Sequence, residues 1–98
     1  MLDAQRATDV FAPGRAWRLA PQVALRDEAF GALAYHYGNR RLVFLKSRPL
    51  VELVTSLERY PDVDAALEAQ VPASQRATYR AALARLAASG VIDVEGED

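Results

Sequence analysis

The dipeptide Gly38-Asn39 sits between two apolar runs that alternate in sequence, and it constrains the chain more than any other feature. Both residues tolerate positive φ, so the pair predicts a two-residue β-hairpin loop. Residues 31–37 are then one strand and residues 40–45 the return strand. With this loop Tyr37 faces Arg40, Tyr35 faces Leu42 and Leu33 faces Phe44. The other face pairs His36 with Arg41, Ala34 with Val43 and Ala32 with Leu45. A one-residue slip would turn every side chain over and point Leu42 and Phe44 away from Leu33 and Tyr35. The face of Leu33, Tyr35, Leu42 and Phe44 is the larger and more apolar, so it is expected to be the core side.

Upstream, Val23 and Leu25 alternate with Ala24 and Arg26, the pattern of a short half-buried strand. Asp27-Glu28-Ala29 is expected to be a polar break. Trp17 and Leu19 have period two and predict a short strand or a strap across the domain, with Trp17 as a core anchor. After Lys46 the period changes. Ser47 is a helix cap and Pro49 lies in the first turn. Leu50, Leu53, Val54 and Leu57 form an apolar stripe at helical spacing, and Tyr60-Pro61 ends that helix. Asp62 is expected to cap a second short helix with Val63, Ala66 and Leu67 inward, which Val71-Pro72 breaks. Ser74 is expected to cap a third, with Tyr79, Ala82, Leu83, Leu86 and Ala87 inward and Gly90 at its C′ position. Val91, Ile92 and Val94 predict a brief strand or a tuck under the core. The fold class is α+β: a three-stranded antiparallel β-meander followed by three α-helices, which cover the apolar face of the sheet. At 98 residues the chain is one domain. Residues 1–12 are expected to be a flexible lead-in, residues 13–94 the domain, and residues 95–98 an acidic tail.

Chemistry has few places to reside. The chain has no cysteine, which removes disulfides, thiolate nucleophiles and cysteine-ligated metals. His36 is the only histidine and is expected to be a solvated sheet-face residue. The glycines are scattered rather than gathered in a phosphate loop. Asp62 and Asp64 lie near a helix start, where capping and the helix dipole account for them. No catalytic residue, cofactor or metal is expected. The net charge of −1 argues against a nucleic-acid binder. The N-terminal residues lack a signal peptide's apolar run, and no stretch approaches the roughly 18–20 apolar residues of a membrane span. A soluble cytoplasmic protein is expected.

What remains is binding by a strand. In a meander the outer strands keep unpaired backbone groups, and an extended peptide can add there. Two edges qualify: the strand carrying Val23 and Arg26, and the strand of Arg41, Leu42, Val43, Phe44 and Leu45. Trp17 and Leu19 could cover the first. Arg40, Arg41, Lys46 and Arg48 cluster around the second. They serve equally well as edge protection or as an attractive rim for an acidic peptide.

Several stretches carry a family resemblance. Arg15-Ala16-Trp17-Arg18-Leu19, Pro21-Gln22-Val23-Ala24-Leu25-Arg26 and Phe30-Gly31-Ala32-Leu33-Ala34-Tyr35-His36-Tyr37-Gly38 closely resemble the mycofactocin biosynthesis chaperones. Arg41-Leu42-Val43-Phe44-Leu45-Lys46, the helix of residues 51–57 and residues 79–91 continue the match, which covers roughly residues 11–92. More distantly the chain is similar to the pyrroloquinoline quinone peptide chaperone and to winged-helix-like precursor-peptide recognition domains. The resemblance implies a carrier that binds the leader of a ribosomally made precursor peptide. The leader adds to the third strand of the meander and lies against the third helix. The carrier presents it to a radical S-adenosylmethionine maturase, which decarboxylates and crosslinks a C-terminal Val-Tyr. On this sequence one wall is Arg41, Leu42, Val43, Phe44 and Leu45. The other is drawn from Arg76, Arg80, Leu83, Ala84 and Ala87. The resemblance chooses between the two edges and makes Arg41 and Lys46 a rim for the leader.

Two other readings compete. In a winged-helix nucleic-acid binder the third helix would enter the major groove, with Arg76, Arg80 and Arg85 on phosphates. The strands precede the helices here, and the charge balance is acidic, both against it. In a homodimerisation module the same edge would pair with its own copy.

Overall fold

A computed structural model describes residues 11–94. Most of the expected lead-in and all of the acidic tail 95–98 lie outside the described residues. Among the described residues five strands and three α-helices follow one another: β1 (Trp17–Leu19), β2 (Val23–Glu28), β3 (Gly31–His36), β4 (Leu42–Leu45), α1 (Arg48–Ser56), α2 (Val63–Gln70), α3 (Arg76–Ala88) and β5 (Ile92–Val94). Strands β2, β3 and β4 make the expected antiparallel meander, and the helices follow it. A separate two-stranded ribbon joins β1 to β5, with Trp17 opposite Val94 and Leu19 opposite Ile92. Arg18 donates to the Asp93 carboxylate at 3.0 Å across this ribbon. Trp17 is buried, and its indole Nε1 donates to the Ala12 carbonyl at 2.9 Å. It is a core anchor, as expected.

The hairpin register agrees with the sequence, for Leu33 pairs with Phe44, Tyr35 with Leu42, Ala34 with Val43 and Ala32 with Leu45. The facing does not. Ala32, Ala34 and Leu45 are 0, 1 and 0% exposed, whereas Leu42 and Phe44 are 62 and 58% exposed. The face expected to be the core is the outer face. Strand β2 supplies the reason. Its register sets Arg26 opposite Leu33 and Ala24 opposite Tyr35, with Val23 opposite His36 and Leu25 opposite Ala34. Burying Leu33 and Tyr35 would carry the Arg26 guanidinium into the core, where a charge costs several kcal/mol. Turning the alanine face inward buries Val23 instead. It also brings the sheet backbone close to the helices.

The helices begin and end largely where local chemistry dictates. The Ser47 hydroxyl accepts from Leu50 N at 3.2 Å, and Asp62 Oδ1 accepts from Ala65 N at 2.8 Å. Each satisfies an otherwise orphaned N–H of a first turn. Ser74 does not cap α3. A 3-10 turn, Ala73–Gln75, leads into that helix, whose start has no side-chain cap. The break between α2 and α3 is closed by Arg76, whose Nε donates to the Val71 carbonyl at 2.8 Å. Leu53, Val54, Leu57, Val63, Ala66, Leu67 and Leu83 are essentially inaccessible and join Ala32, Ala34, Leu45, Val91 and Ile92 in one core. Gly90 has φ 85° and terminates α3 as a left-handed residue.

The tightest backbone approach is at Gly31, which follows the two-residue Ala29-Phe30 turn. Its φ is 153°, and a Cβ there would overlap the Leu45 carbonyl oxygen and lie 3.0 Å from Ser47 N. Backbone atoms cannot swing aside as a side chain can. Gly31→Ala is therefore expected to lower stability by roughly 2–4 kcal/mol. Gly14→Ala, with nothing within 4 Å of its Cβ, should change it by less than about 0.5 kcal/mol. Urea titrations of the two variants check the contrast.

Candidate peptide-binding edge

Strand β4 lies at one edge of the sheet order β2-β3-β4. Its hydrogen-bonding phase follows from the turn. His36 N donates to the Arg41 carbonyl at 3.0 Å, so residues 41, 43 and 45 direct their backbone groups at β3. Leu42 and Phe44 then direct their N–H and C=O outward along the open edge. Their side chains stand on the outer face, while Val43 and Leu45 pack inward. Strand β1 does not cover the other edge, since it pairs with β5. The β2 edge is nonetheless less open. Val23 N already donates to the Ala20 carbonyl at 3.0 Å, and charged Asp27 is bonded by Arg48 at 3.4 Å.

The turn that starts β4 differs from the expected two-residue loop. Neither Gly38 nor Asn39 takes positive φ; Arg40 does, at 63°. Arg40 N donates to the His36 carbonyl at 2.7 Å, so residues 37–40 form a four-residue turn, and the regular strand begins at Leu42 rather than Arg41. His36 organises this turn. Its Nδ1 accepts from Gly38 N at 2.9 Å and from Asn39 N at 3.1 Å. The imidazole is thus a half-buried acceptor rather than a solvated side chain. The ring lies close to Gly38: a Cβ there would lie 2.8 Å from its Cε1, so the imidazole would have to shift.

Asn39 ties the turn in two directions. Its Oδ1 accepts from Arg41 N at 2.9 Å, and its Nδ2 donates to the Ser89 carbonyl at 3.4 Å. It therefore connects the start of β4 to the C-terminal end of α3. Of the α3 residues named from the sequence, Leu83 is fully buried, Ala87 is 8% exposed and Ala84 is half-buried. Arg76 and Arg80 are engaged elsewhere. Arg76 reaches the Val71 and Glu68 carbonyls at 2.8 and 3.3 Å, and Arg80 meets the Asp64 carboxylate at 3.1 Å. Both tie α3 to α2. Around the β4 edge, Arg40, Arg41 and Lys46 are exposed and make no ion pair among the described residues. Arg48 is the member of the basic cluster that is already held, by Asp27 and the Glu28 carbonyl.

Other sites for chemistry are sparse. An open polar depression of about 390 Å³ is lined by Glu52, Thr55, Ser56, Arg59, Tyr60 and Gln70. Within it Gln70 Nε2 donates to Ser56 Oγ at 2.7 Å and to Tyr60 Oη at 3.4 Å. Among the described residues no three acidic or histidine side chains gather as a metal site, and no helix is long and apolar enough to cross a membrane.

Fold and edge together define a small α+β domain whose three-stranded meander ends at β4 in an unpaired edge. The peptide chaperone MftB family model matches residues 16–93, and the chain belongs to that family. A peptide chaperone MftB from Mycobacterium ulcerans is 49% identical over 83 residues, 84% of this chain and 76% of the relative. That of Mycobacterium tuberculosis is 47% identical over the same shares, and that of Mycolicibacterium smegmatis 49%, with 81% of the relative covered. No solved structure matches the chain.

Asn39→Ala removes both tethers of the turn and should cost about 1–2 kcal/mol, with faster exchange of the Arg41 amide. Asn39→Asp keeps the acceptor for Arg41 N and loses the donor to Ser89, so Arg41 should stay protected. Hydrogen exchange followed by NMR separates the two tethers.

Proposed function

We propose that this chain is a non-catalytic peptide chaperone of mycofactocin biosynthesis. It takes the leader of a ribosomally made precursor peptide as an added strand and presents it to a radical S-adenosylmethionine maturase. The family and the names of its relatives support the peptide-chaperone part. The observation that carries the binding mode is the β4 edge, where Leu42 and Phe44 turn their backbone groups away from β3. Added there, a leader gains main-chain hydrogen bonds for affinity, and its alternating side chains supply selectivity. Arg41, Leu42, Val43, Phe44 and Leu45 form one wall of this site.

The second wall is α3, joined to the start of β4 through Asn39 and Ser89. Ala84 and Ala87 allow a peptide to come close, and Leu83 supports them from the core. Arg76 and Arg80 belong to this wall with guanidinium groups shared with α2. The cations Arg41 and Lys46 suit a leader rich in carboxylates. No cofactor enters this reading, because the redox chemistry belongs to the maturase. The place of action is the cytoplasm, where the precursor is made.

The same details weigh against the competing readings. A helix that reads DNA needs free cations, and of Arg76, Arg80 and Arg85 the first two already hold α2. A second copy paired antiparallel on β4 about Val43 would set Arg40 against Lys46 of its partner, like charge against like.

The test uses the phase of the strand. Val43 bonds inward to Ala34, so proline there would break the sheet itself. Proline at Phe44 removes an edge N–H and leaves the ladder to β3 intact. Phe44→Pro should bind leader peptide roughly tenfold more weakly than Phe44→Ala, which keeps the N–H. Calorimetry measures this, with circular dichroism to verify folding. Equal binding by the two folded variants would exclude strand addition at β4. Amide shifts on leader titration should concentrate in residues 41–45 and in α3.

A further inference from the structure

The outer face of the sheet is left over once the β4 edge has its guest. Leu33, Tyr35, Leu42 and Phe44 share that face, with Phe30 and Tyr37 at its two turns. Phe30, Tyr37, Leu42 and Phe44 are 44, 63, 62 and 58% exposed. The aromatic rings are ordered against each other. Phe30 meets Phe44 edge-on at 5.6 Å between centroids, and Tyr35 meets Tyr37 at 5.3 Å. An apolar sheet face with an aromatic pair toward each end is uncommon on a domain that works alone and has the composition of a protein interface core.

Charge narrows the occupant. By the strand register, Glu28 is the only carboxylate at an outer-face position of the three strands, and Arg26 holds it at 2.9 Å. Arg40, Arg41 and Lys46 stand at the ends of β4 without ion pairs among the described residues. An apolar surface with a cationic border is complementary to an apolar surface with an acidic border. A second copy brings the same cations and is disfavoured. The leader, added as a strand, uses the backbone of the edge and leaves the centre of this face bare.

We infer that the outer face is the docking surface for the maturase, which meets it with an apolar patch ringed by carboxylates. The inference rests on the peptide-carrier reading above and names the surface that reading lacks. A strand added to β4 widens the same face, because every second leader side chain stands beside Leu42 and Phe44. The maturase therefore touches carrier and leader at once. Each of the two guests tightens the other by the same factor.

The test is the double variant Phe30→Ser/Tyr37→Ser. Both residues are exposed and lie outside β4, so the fold and the leader edge should persist. Affinity for leader peptide, by calorimetry, is expected to stay within about twofold of wild type, since neither side chain offers the edge backbone. Affinity for the pathway's radical S-adenosylmethionine maturase, by sedimentation velocity with and without leader, is expected to fall by roughly tenfold or more, as for aromatic anchors of an interface. A double variant that binds leader and maturase like wild type overturns the inference and leaves the carrier reading standing. A wild-type chain that binds maturase but takes no leader removes the carrier reading. The same variant, measured without leader, then decides the face. Concentration-dependent dimers or binding to phosphatidylglycerol vesicles, abolished in the variant while maturase affinity is unchanged, would reassign the face to a second copy or to a lipid surface and overturn the inference.

Discussion

The smallness of the inner sheet face governs the rest of the molecule. Ala32 and Ala34 offer the helices little more than backbone, and both are almost wholly buried. Large residues then come from the helices, with Leu53, Val54, Leu57, Leu67 and Leu83 filling the core. Close packing of this kind rewards volume that is divided between facing layers. Gly31 extends the same economy of space to the backbone, where the Leu45 carbonyl occupies the place of a side chain.

That arrangement makes the opposite face what it is. Because alanines point in, Leu33, Tyr35, Leu42 and Phe44 point out, next to a strand edge with unpaired backbone groups. An apolar face and an open edge are each a liability in isolation. Together, and bordered by Arg40, Arg41 and Lys46, they make the surface on which the proposed guests would dock. The β1–β5 ribbon contributes by forming a sheet of its own. It pairs with itself through Trp17, Leu19, Ile92 and Val94 and leaves the meander's edges to others.

Much of this was legible in the residues. The pairing of β3 with β4, the order of strands and helices, the caps at Ser47 and Asp62, and the stop at Gly90 all follow from local chemistry and agree with the structure. The facing of the hairpin is not decided by its own two strands, because Arg26 of β2 stands opposite Leu33. The period-two pattern of Val23 and Leu25 places that arginine on the other side. The turn departs from the expectation for a different reason. Gly38-Asn39 resembles a positive-φ pair, yet His36 Nδ1 accepts both of their N–H groups and moves the left-handed residue to Arg40. Ser74 does not cap the start of α3, and Arg76 instead reaches back to the Val71 and Glu68 carbonyls at the end of α2, a contact that no local pattern announces.

Periodicity and capping act between residues close in sequence, so the chain alone specified its elements, their order and the register of its central hairpin. Which face of that hairpin is buried is a contest between layers, settled by the cost of burying Arg26 and by the room that alanines leave for helices. Which cations are free is likewise a tertiary matter. Arg76 and Arg80 find partners on α2, and Arg48 finds Asp27, whereas Arg40, Arg41 and Lys46 find none among the described residues. Contacts of that range arise only when separate elements meet in space, and they turned a basic cluster into the border of an open edge.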